Sequence, residues 1–383
     1  MSFNPFLFKV PGEVVFGAGS LSRLPDMLNE RGLKRVLIVS DRGLEAAGMV
    51  KKLEDILAGC GVNYEAYLDV EANPSIETVD RGVRIYRDKQ LEGIICLGGG
   101  SPMDTAKAIS VLVAFGGKIQ DYEGAHKVKG PIAPVIAIPT TAGTGSEVTP
   151  FAVITDRSIN YKLTVFSYEL IPVVAILDPE LISTLPPLVA ASTGLDALTH
   201  AIEAYISRAA SPFSDAMAEK AMELIGKHIR VFVANRSDMC AASGMILGSM
   251  FAGIAFSWAR LGNIHAMAHP LGGYFDIAHG VANAVLLPVI LEYNALADQG
   301  KYEKVFNYIK DGKVISGFTP DLLVKEIRQL SGGLGIPKNL SELGVERESI
   351  HNMAVDAMKS GNILINPRQT TLKDIEDLYL RAM

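Results

Sequence analysis

The chain has 383 residues and a mass of 41.1 kDa, roughly two to three times a typical domain, so two domains with separate cores are expected. Hydrophobic residues make up 49% and charged ones 20%, which is enough to bury large cores and argues against a disordered chain. Lys and Arg number 36 against 42 Asp and Glu, a net charge of −6 with no basic cluster, so neither nucleic acid nor an anionic membrane is expected as a partner.

The first residues, MSFNPFLFKVPGE, carry no basic leader followed by a long apolar stretch, so no secretory signal is expected. Cys60, Cys96 and Cys240 lie far apart with no CxxC, which points to the cytoplasm rather than to a disulfide framework or a zinc–thiolate site. Residues 35–40 then predict a strand, 45–57 a helix, 64–70 a strand, 76–89 a helix, 93–97 a strand and 103–115 a helix. Further strands are predicted at 134–138, 152–155 and 173–177. Continuous apolar strands between helices predict a parallel sheet covered on both faces, with functional loops at the carboxyl ends of the strands.

After Leu185-Pro186-Pro187 the strand signal stops. Helical patterns follow at 188–207, 212–234, 239–259, 263–273, 281–297, 319–331, 346–359 and 371–382. The 21 uncharged residues 239–259, with Gly244 and Gly248 at GxxxG spacing, are long enough to span a bilayer. Small residues dominate the segment and basic flanks are missing. It therefore reads as a helix buried in an all-α core, and no second span is expected.

Two loops follow strands in the first half. Gly98-Gly99-Gly100-Ser101-Pro102-Met103-Asp104 suits close approach of a phosphate to backbone N–H groups at a helix start. Ser101 and Asp104 also fit a capping box, with Pro102 at the first helical position. The loop is not GxGxxG, so the standard dinucleotide fingerprint is missing. Pro139–Glu147 carries three threonines, two glycines and a serine, suited to a pyrophosphate or ribose. Asp41, just past the first predicted strand, can accept bonds from an adenosine ribose and repel a 2′-phosphate. The runs Gly17–Gly19 and Gly332–Gly335 read as turns.

The histidines carry the sharper signal. Asp196 and His200 stand four apart, His265 and His269 repeat that spacing, and His279 follows in Ala-His-Gly. Imidazoles with one carboxylate and no thiolate suit Fe²⁺, Zn²⁺, Mn²⁺ or Co²⁺, and spacing alone does not choose which three histidines bind. His126, His228 and His351 read as surface residues.

Taken in order, VVFGAGSL, GGGSPMDTAK, IPTTAGTGSEVT, LDPELISTLPPLVAASTGLDALTHAIEAY, HAMAHPLGGYFDIAHGVANAVLLP and the late NPR at 366–368 resemble the iron-containing (group III) alcohol dehydrogenases along the whole chain. That is the family of 1,3-propanediol dehydrogenase, lactaldehyde reductase and butanol dehydrogenases. The resemblance implies a Rossmann-like dinucleotide-binding α/β domain over 1–185 and an all-helical metal-binding and catalytic domain over 186–383. It implies Fe²⁺, with Zn²⁺ as an alternative occupant, held by Asp196, His200, His265 and His279, and His269 unbound beside it as a proton-relay residue. It also implies NAD, lined by Asp41, Asn73, Gly98, Gly99, Ser101, Asp104, Thr140, Thr141, Thr144 and Lys162, with Thr149 and Phe151 beside the nicotinamide. The activity implied is hydride transfer between NAD(H) and a small primary alcohol or diol, or the matching aldehyde, by a homo-oligomer. Rival readings are an NAD-binding, metal-dependent synthase of the dehydroquinate synthase type, a transhydrogenase that retains its NAD, a metal hydrolase, and a membrane protein built on 239–259.

Overall fold

The computed structural model describes residues 7–159, 161–310 and 317–383. It divides into two compact units. One holds Lys9–Thr141 and Ser146–Ser183; the other holds Thr184–Met383 with Ala142–Gly145 and, at the start of the described chain, Leu7 and Phe8.

The first unit contains strands β1 (Glu13–Phe16), β2 (Arg35–Val39), β3 (Asn63–Tyr67), β4 (Gly93–Gly98), β5 (Gly124–Ala125), β6 (Val135–Pro139), β7 (Phe151–Asp156), β8 (Tyr161–Phe166) and β9 (Val174–Leu177). Its helices are α1 (Leu24–Glu30), α2 (Arg42–Ala46), α3 (Met49–Gly59), α4 (Ile76–Asp88) and α5 (Gly100–Phe115). Six strands form one all-parallel sheet in the order β1-β9-β6-β4-β2-β3. Its central strands alternate between two cores. Leu37, Val39, Ile94, Cys96, Val135 and Ala137 fill one, while Val36, Ile38, Ile95, Leu97, Ile136 and Ile138 fill the other. Each Val, Leu or Ile side chain among them contributes about 1.5–3 kcal/mol on burial, which is why these strands read as unbroken apolar runs.

The chain steps from β2 outward to β3, then returns to the other side of β2 to lay down β4. The strand order therefore reverses between β2 and β4, and the crevice beyond the carboxyl ends of those strands is where open α/β sheets bind ligands. Ser40 Oγ donates to the Leu97 carbonyl at 2.8 Å and ties the two strand ends together.

Several local expectations are corrected here. The 152–155 strand exists as β7 but lies outside the parallel sheet. It pairs antiparallel with β8 in a three-stranded sheet completed by β5, and its burial alternates as a half-covered strand requires. The predicted 45–57 helix is two helices, because Gly48 takes a left-handed φ of 77° between α2 and α3. The Ser101–Asp104 capping box does not form. Helix α5 begins earlier, at Gly100 behind Gly99, and Asp104 instead accepts from Ser146 Oγ at 3.0 Å and Val153 N at 3.1 Å. Long-range partners outcompeted the local cap.

The second unit is built from α6 (Pro187–Ile206), α7 (Pro212–Ala234), α8 (Met239–Ala259), α9 (Asn263–Phe275), α10 (His279–Asn294), α11 (Lys301–Ile309), α12 (Pro320–Gly333), α13 (Ile350–Met358) and α14 (Leu372–Ala382). Helix α11 was not foreseen, although Tyr302, Val305, Phe306 and Ile309 bury one face at helical spacing. Helix α8 lies against α6 and α7. Its GxxxG pair serves α7: a side chain at Gly244 would strike the His228 ring and one at Gly248 would strike Ile225. His228 is accordingly half-buried, whereas His126 and His351 are exposed. A second stretch, 279–297, is also long and apolar enough to cross a membrane, contrary to expectation; Glu292 within it hides it from a search for charge-free runs. In both helices 72% of the apolar window is buried in the protein, as core helices require.

Candidate metal centre and dinucleotide loops

Three helices each present a pair of polar side chains four residues apart. These are Asp196 and His200 on α6, His265 and His269 on α9, and His279 and Asn283 on α10. One donor atom from each of Asp196, His200, His265 and His279 lies within 4.8 Å of the other three. Asp196, His200 and His265 are at most 4% exposed, while the His279 side chain is 31% exposed and marks the open side. His269 is half-buried, its ring centroid 5.5 Å from that of His279, and it stands outside the donor cluster.

The cluster has a surplus of acceptors. Asn283 Nδ2 lies 2.6 Å from Asp196 Oδ1, 3.0 Å from His265 Nε2 and 3.1 Å from His279 Nε2, yet an amide has only two N–H donors. Asn283 Oδ1 is buried with no hydrogen-bond partner among the described residues. A divalent cation resolves this imbalance, and imidazole with carboxylate is a donor set that Fe²⁺ and Zn²⁺ accept. The residues fit a metal ion.

Asp196 and His200 already stand in the forms that ligate a cation, whereas His265 must give up a proton to do so. Burial alone would raise the Asp196 carboxyl, but His200, His279 and His265 outweigh it and hold the group well below the usual carboxylate range. Burial lowers His200 to about 4 against the pull of Asp196, so its ring is a neutral donor at pH 7. Burial also acts to lower His265, but hydrogen bonding to Asp196 and Glu203 carries it up to about 9.

Gly280 sets the approach of α10 to α6. A Cβ there would stand 2.5 Å from the Ser192 carbonyl oxygen and 3.4 Å from Asp196 Cβ, so His279 reaches Asp196 only because its neighbour lacks a side chain. Gly280→Ala is expected to cost about 1–3 kcal/mol from overpacking and to reduce bound metal. Thermal melting and metal analysis check this, and an unchanged Tm with full metal content would refute it.

Loop residues Ala142–Gly145 belong to the helical unit. A side chain at Gly143 would meet Thr193 of α6, and one at Gly145 (φ 61°) would meet the backbone of Ser249 and Gly253 on α8. Thr144 is held half-buried between them.

In the sheet unit, Asp41, Gly98, Gly99, Ser101, Thr140 and Thr141 gather at the carboxyl ends of β2, β4 and β6. Thr140 N donates to the Gly98 carbonyl at 3.0 Å, and a side chain at Gly99 would touch Thr141. No side chain caps α5, a 16-residue helix that starts at this point. Asp41 caps α2, accepting from Leu44 N at 2.9 Å. Asn73, at a left-handed φ of 52°, accepts from Lys162 Nζ at 2.9 Å, beside the smaller sheet.

Asp104, Thr149 and Phe151 are bound into another network. The buried Lys107 Nζ donates to the carbonyls of Ser146, Thr149 and Phe151 at 2.6–2.9 Å and lies 3.0–3.3 Å from the hydroxyls of Ser146 and Thr149. Burial lowers this ammonium to about 8, with Asp104 and Glu147 pulling the other way. The network fixes the segment 146–151 against α5.

Two residues of the candidate centre escaped the sequence reading. Asn283 repeats the four-residue spacing from His279, and Glu203 continues the Asp196–His200 face one turn further. Both are buried.

The family model for iron-containing alcohol dehydrogenase matches residues 11–179, and the model for the carboxyl-terminal part of the Fe-containing alcohol dehydrogenase family matches 190–383. The 1,3-propanediol dehydrogenase of Citrobacter freundii is 38% identical over 388 residues, covering 100% of both chains. The lactaldehyde reductase of Escherichia coli (strain K12) is 38% identical over 374 residues, covering 96% of this chain and 97% of its own. A crystal structure of a 1,3-propanediol oxidoreductase, 38% identical, superposes with a TM-score of 0.96 over 99% of this chain and 100% of that one. These matches together run along the full length, and the chain belongs to the iron-containing alcohol dehydrogenase family, oxidoreductases of alcohols and aldehydes that use a metal and NAD.

Proposed function

We propose that this protein transfers hydride between NAD(H) and a small primary alcohol or diol, or the corresponding aldehyde, with Fe²⁺ as the working metal and Zn²⁺ as an alternative occupant. The observation that carries the reading is the convergence of Asp196, His200, His265 and His279 within 4.8 Å. When bound, a divalent ion acts as a Lewis acid toward the oxygen of alcohol or aldehyde, and the nicotinamide carries the hydride. The protein's residues do the rest. Asp196 supplies the one negative charge of the donor set. The buried positions of His200 and His265 leave the half-exposed His279 side as the route to the site. His269, on that side, moves the alcohol proton between substrate oxygen and solvent. The backbone of Gly98, Gly99 and Ser101 at the start of α5 holds the pyrophosphate, and Asp41 reads the ribose.

The protein is further proposed to work in the cytoplasm as a homo-oligomer. Three free cysteines support a reducing compartment, and β1, an edge strand with Val14 and Phe16 exposed, supports assembly. The test of function is a 340 nm assay of purified, Fe²⁺- or Zn²⁺-loaded protein with NAD⁺ and a panel of primary alcohols and diols, and with NADH and the matching aldehydes. Sustained NADH formation or consumption is expected. Silence in both directions across the panel would sink the reading, and a monomer by light scattering would remove the oligomer.

A further inference from the structure

We propose that Glu203 is the positioning residue that fixes the tautomer and orientation of His265 for the metal, an inference that rests on the metal reading above. Glu203 lies on α6, seven residues after Asp196 and three after His200, and is 2% exposed. Its Oε2 stands 2.6 Å from His265 Nδ1, and its Oε1 accepts from Ile264 N at 2.8 Å. The carboxylate therefore receives two donors from the first turn of α9, at the positive end of that helix, where an anion is favoured. With the proton of His265 on Nδ1, the lone pair is on Nε2. That nitrogen faces the cluster, 3.8 Å from Asp196 Oδ1 and 3.0 Å from Asn283 Nδ2. A carboxylate behind a metal-facing imidazole sets the ring and raises its basicity, and such partners are worth about 10- to 100-fold in metal affinity. The chain leaves room for it. A Cβ at Gly262 would come within 2.9 Å of Glu203 Oε1 and equally close to Asn366 Oδ1.

Glu203→Gln keeps the shape but not the pairing. A glutamine offers one acceptor where two donors converge. If its oxygen serves Ile264 N, its amide must donate to His265 Nδ1, which moves the ring proton to Nε2 and blocks the nitrogen that faces the metal. The experiment titrates apo protein with Co²⁺, records the visible absorption of the bound ion and obtains Kd by competition with a chelator. For Glu203→Gln a 10- to 100-fold weaker Kd and an altered Co²⁺ spectrum are expected, with the apo protein melting close to wild type. Gly262→Ala, which presses on the same carboxylate, is expected to weaken Co²⁺ binding in the same direction by less, and it carries the test if Glu203→Gln does not fold. Wild-type Kd and spectrum in both variants would overturn the inference alone. A wild type that binds no Co²⁺ would overturn the metal reading, and this inference with it.

Discussion

His200→Ala is expected to strip the metal and abolish turnover while leaving the helical unit folded. In the proposed centre the imidazole contributes one of four donors, and a site defined by ligand count and geometry does not survive the loss of one. Removing partners outside the donor set alone costs roughly 10- to 100-fold in affinity, so removal of a donor should exceed 100-fold. The lost ring stacks on Phe256 and His265, with centroids 4.4 and 4.5 Å away, so the cavity left behind should lower stability by about 2–5 kcal/mol without changing the fold. Chelation of the wild type is expected to reproduce the loss, and added Fe²⁺ or Zn²⁺ to restore it. His269→Ala should behave differently. Its ring lies outside the cluster, so metal content should stay near wild type while kcat falls by roughly 10²-fold, as for a lost acid–base group. Metal analysis of the two variants beside their rates separates the cases. Full metal and activity in His200→Ala would remove it from the donor set, and equal metal loss in both variants would place His269 within it.

The contrast between donors and neighbours was only half visible in the amino-acid sequence. Pairs four residues apart need nothing but helical geometry, so Asp196–His200 and His265–His269 stood out at once. Spacing could not say that His279 completes the set, because that depends on α10 closing on α6 through Gly280. Glu203 and Asn283 were missed for a related reason: each acts by facing another helix, and a buried carboxylate looks like any other residue until its partner is known. In the sheet unit the strongly apolar strands were legible because both faces are buried. Strand β7 was misplaced because half-covered β-branched residues fit an antiparallel ribbon as well as a parallel core. The expected cap at Ser101 failed because Asp104 found Ser146 and Val153, which lie more than 40 residues away. Local chemistry was overruled where a distant partner offered a buried acceptor or donor more.

Preference for NAD(H) over NADP(H), with Asp41 as its cause, is the second large effect expected. Asp41 lies two residues past β2 at the point where the strand order reverses, level with the Gly98–Ser101 loop across Ser40 and Leu97. One carboxylate oxygen caps α2, and the other, Oδ2, takes no hydrogen bond from the described residues. It is available to ribose hydroxyls. A 2′-phosphate would bring like charge into the same space, and two unit charges ~4 Å apart repel by about 4 kcal/mol at an effective dielectric near 20. Screening reduces this to roughly 1–3 kcal/mol, or about 5- to 150-fold in discrimination. Arg42, the neighbouring cation that could welcome a phosphate, is already engaged. Its Nε and Nη2 bond Asp69 at 2.9 and 2.8 Å, and its Nη1 bonds Glu45 at 2.9 Å. These exposed pairs are individually weak, but together they leave Asp41, Glu45 and Asp69 against a single guanidinium, a local balance that repels anions. Asp41→Gly removes the nearest charge and opens space, while replacing an Asp cap by Gly costs only a few tenths of a kcal/mol. NADP(H) use should therefore rise and NAD(H) use fall modestly, with little change in Tm. Measuring kcat/KM for both cofactors in wild type and Asp41→Gly is the check. A wild type that already favours NADP(H), or a ratio unmoved by the substitution, would show that Asp41 does not read the ribose.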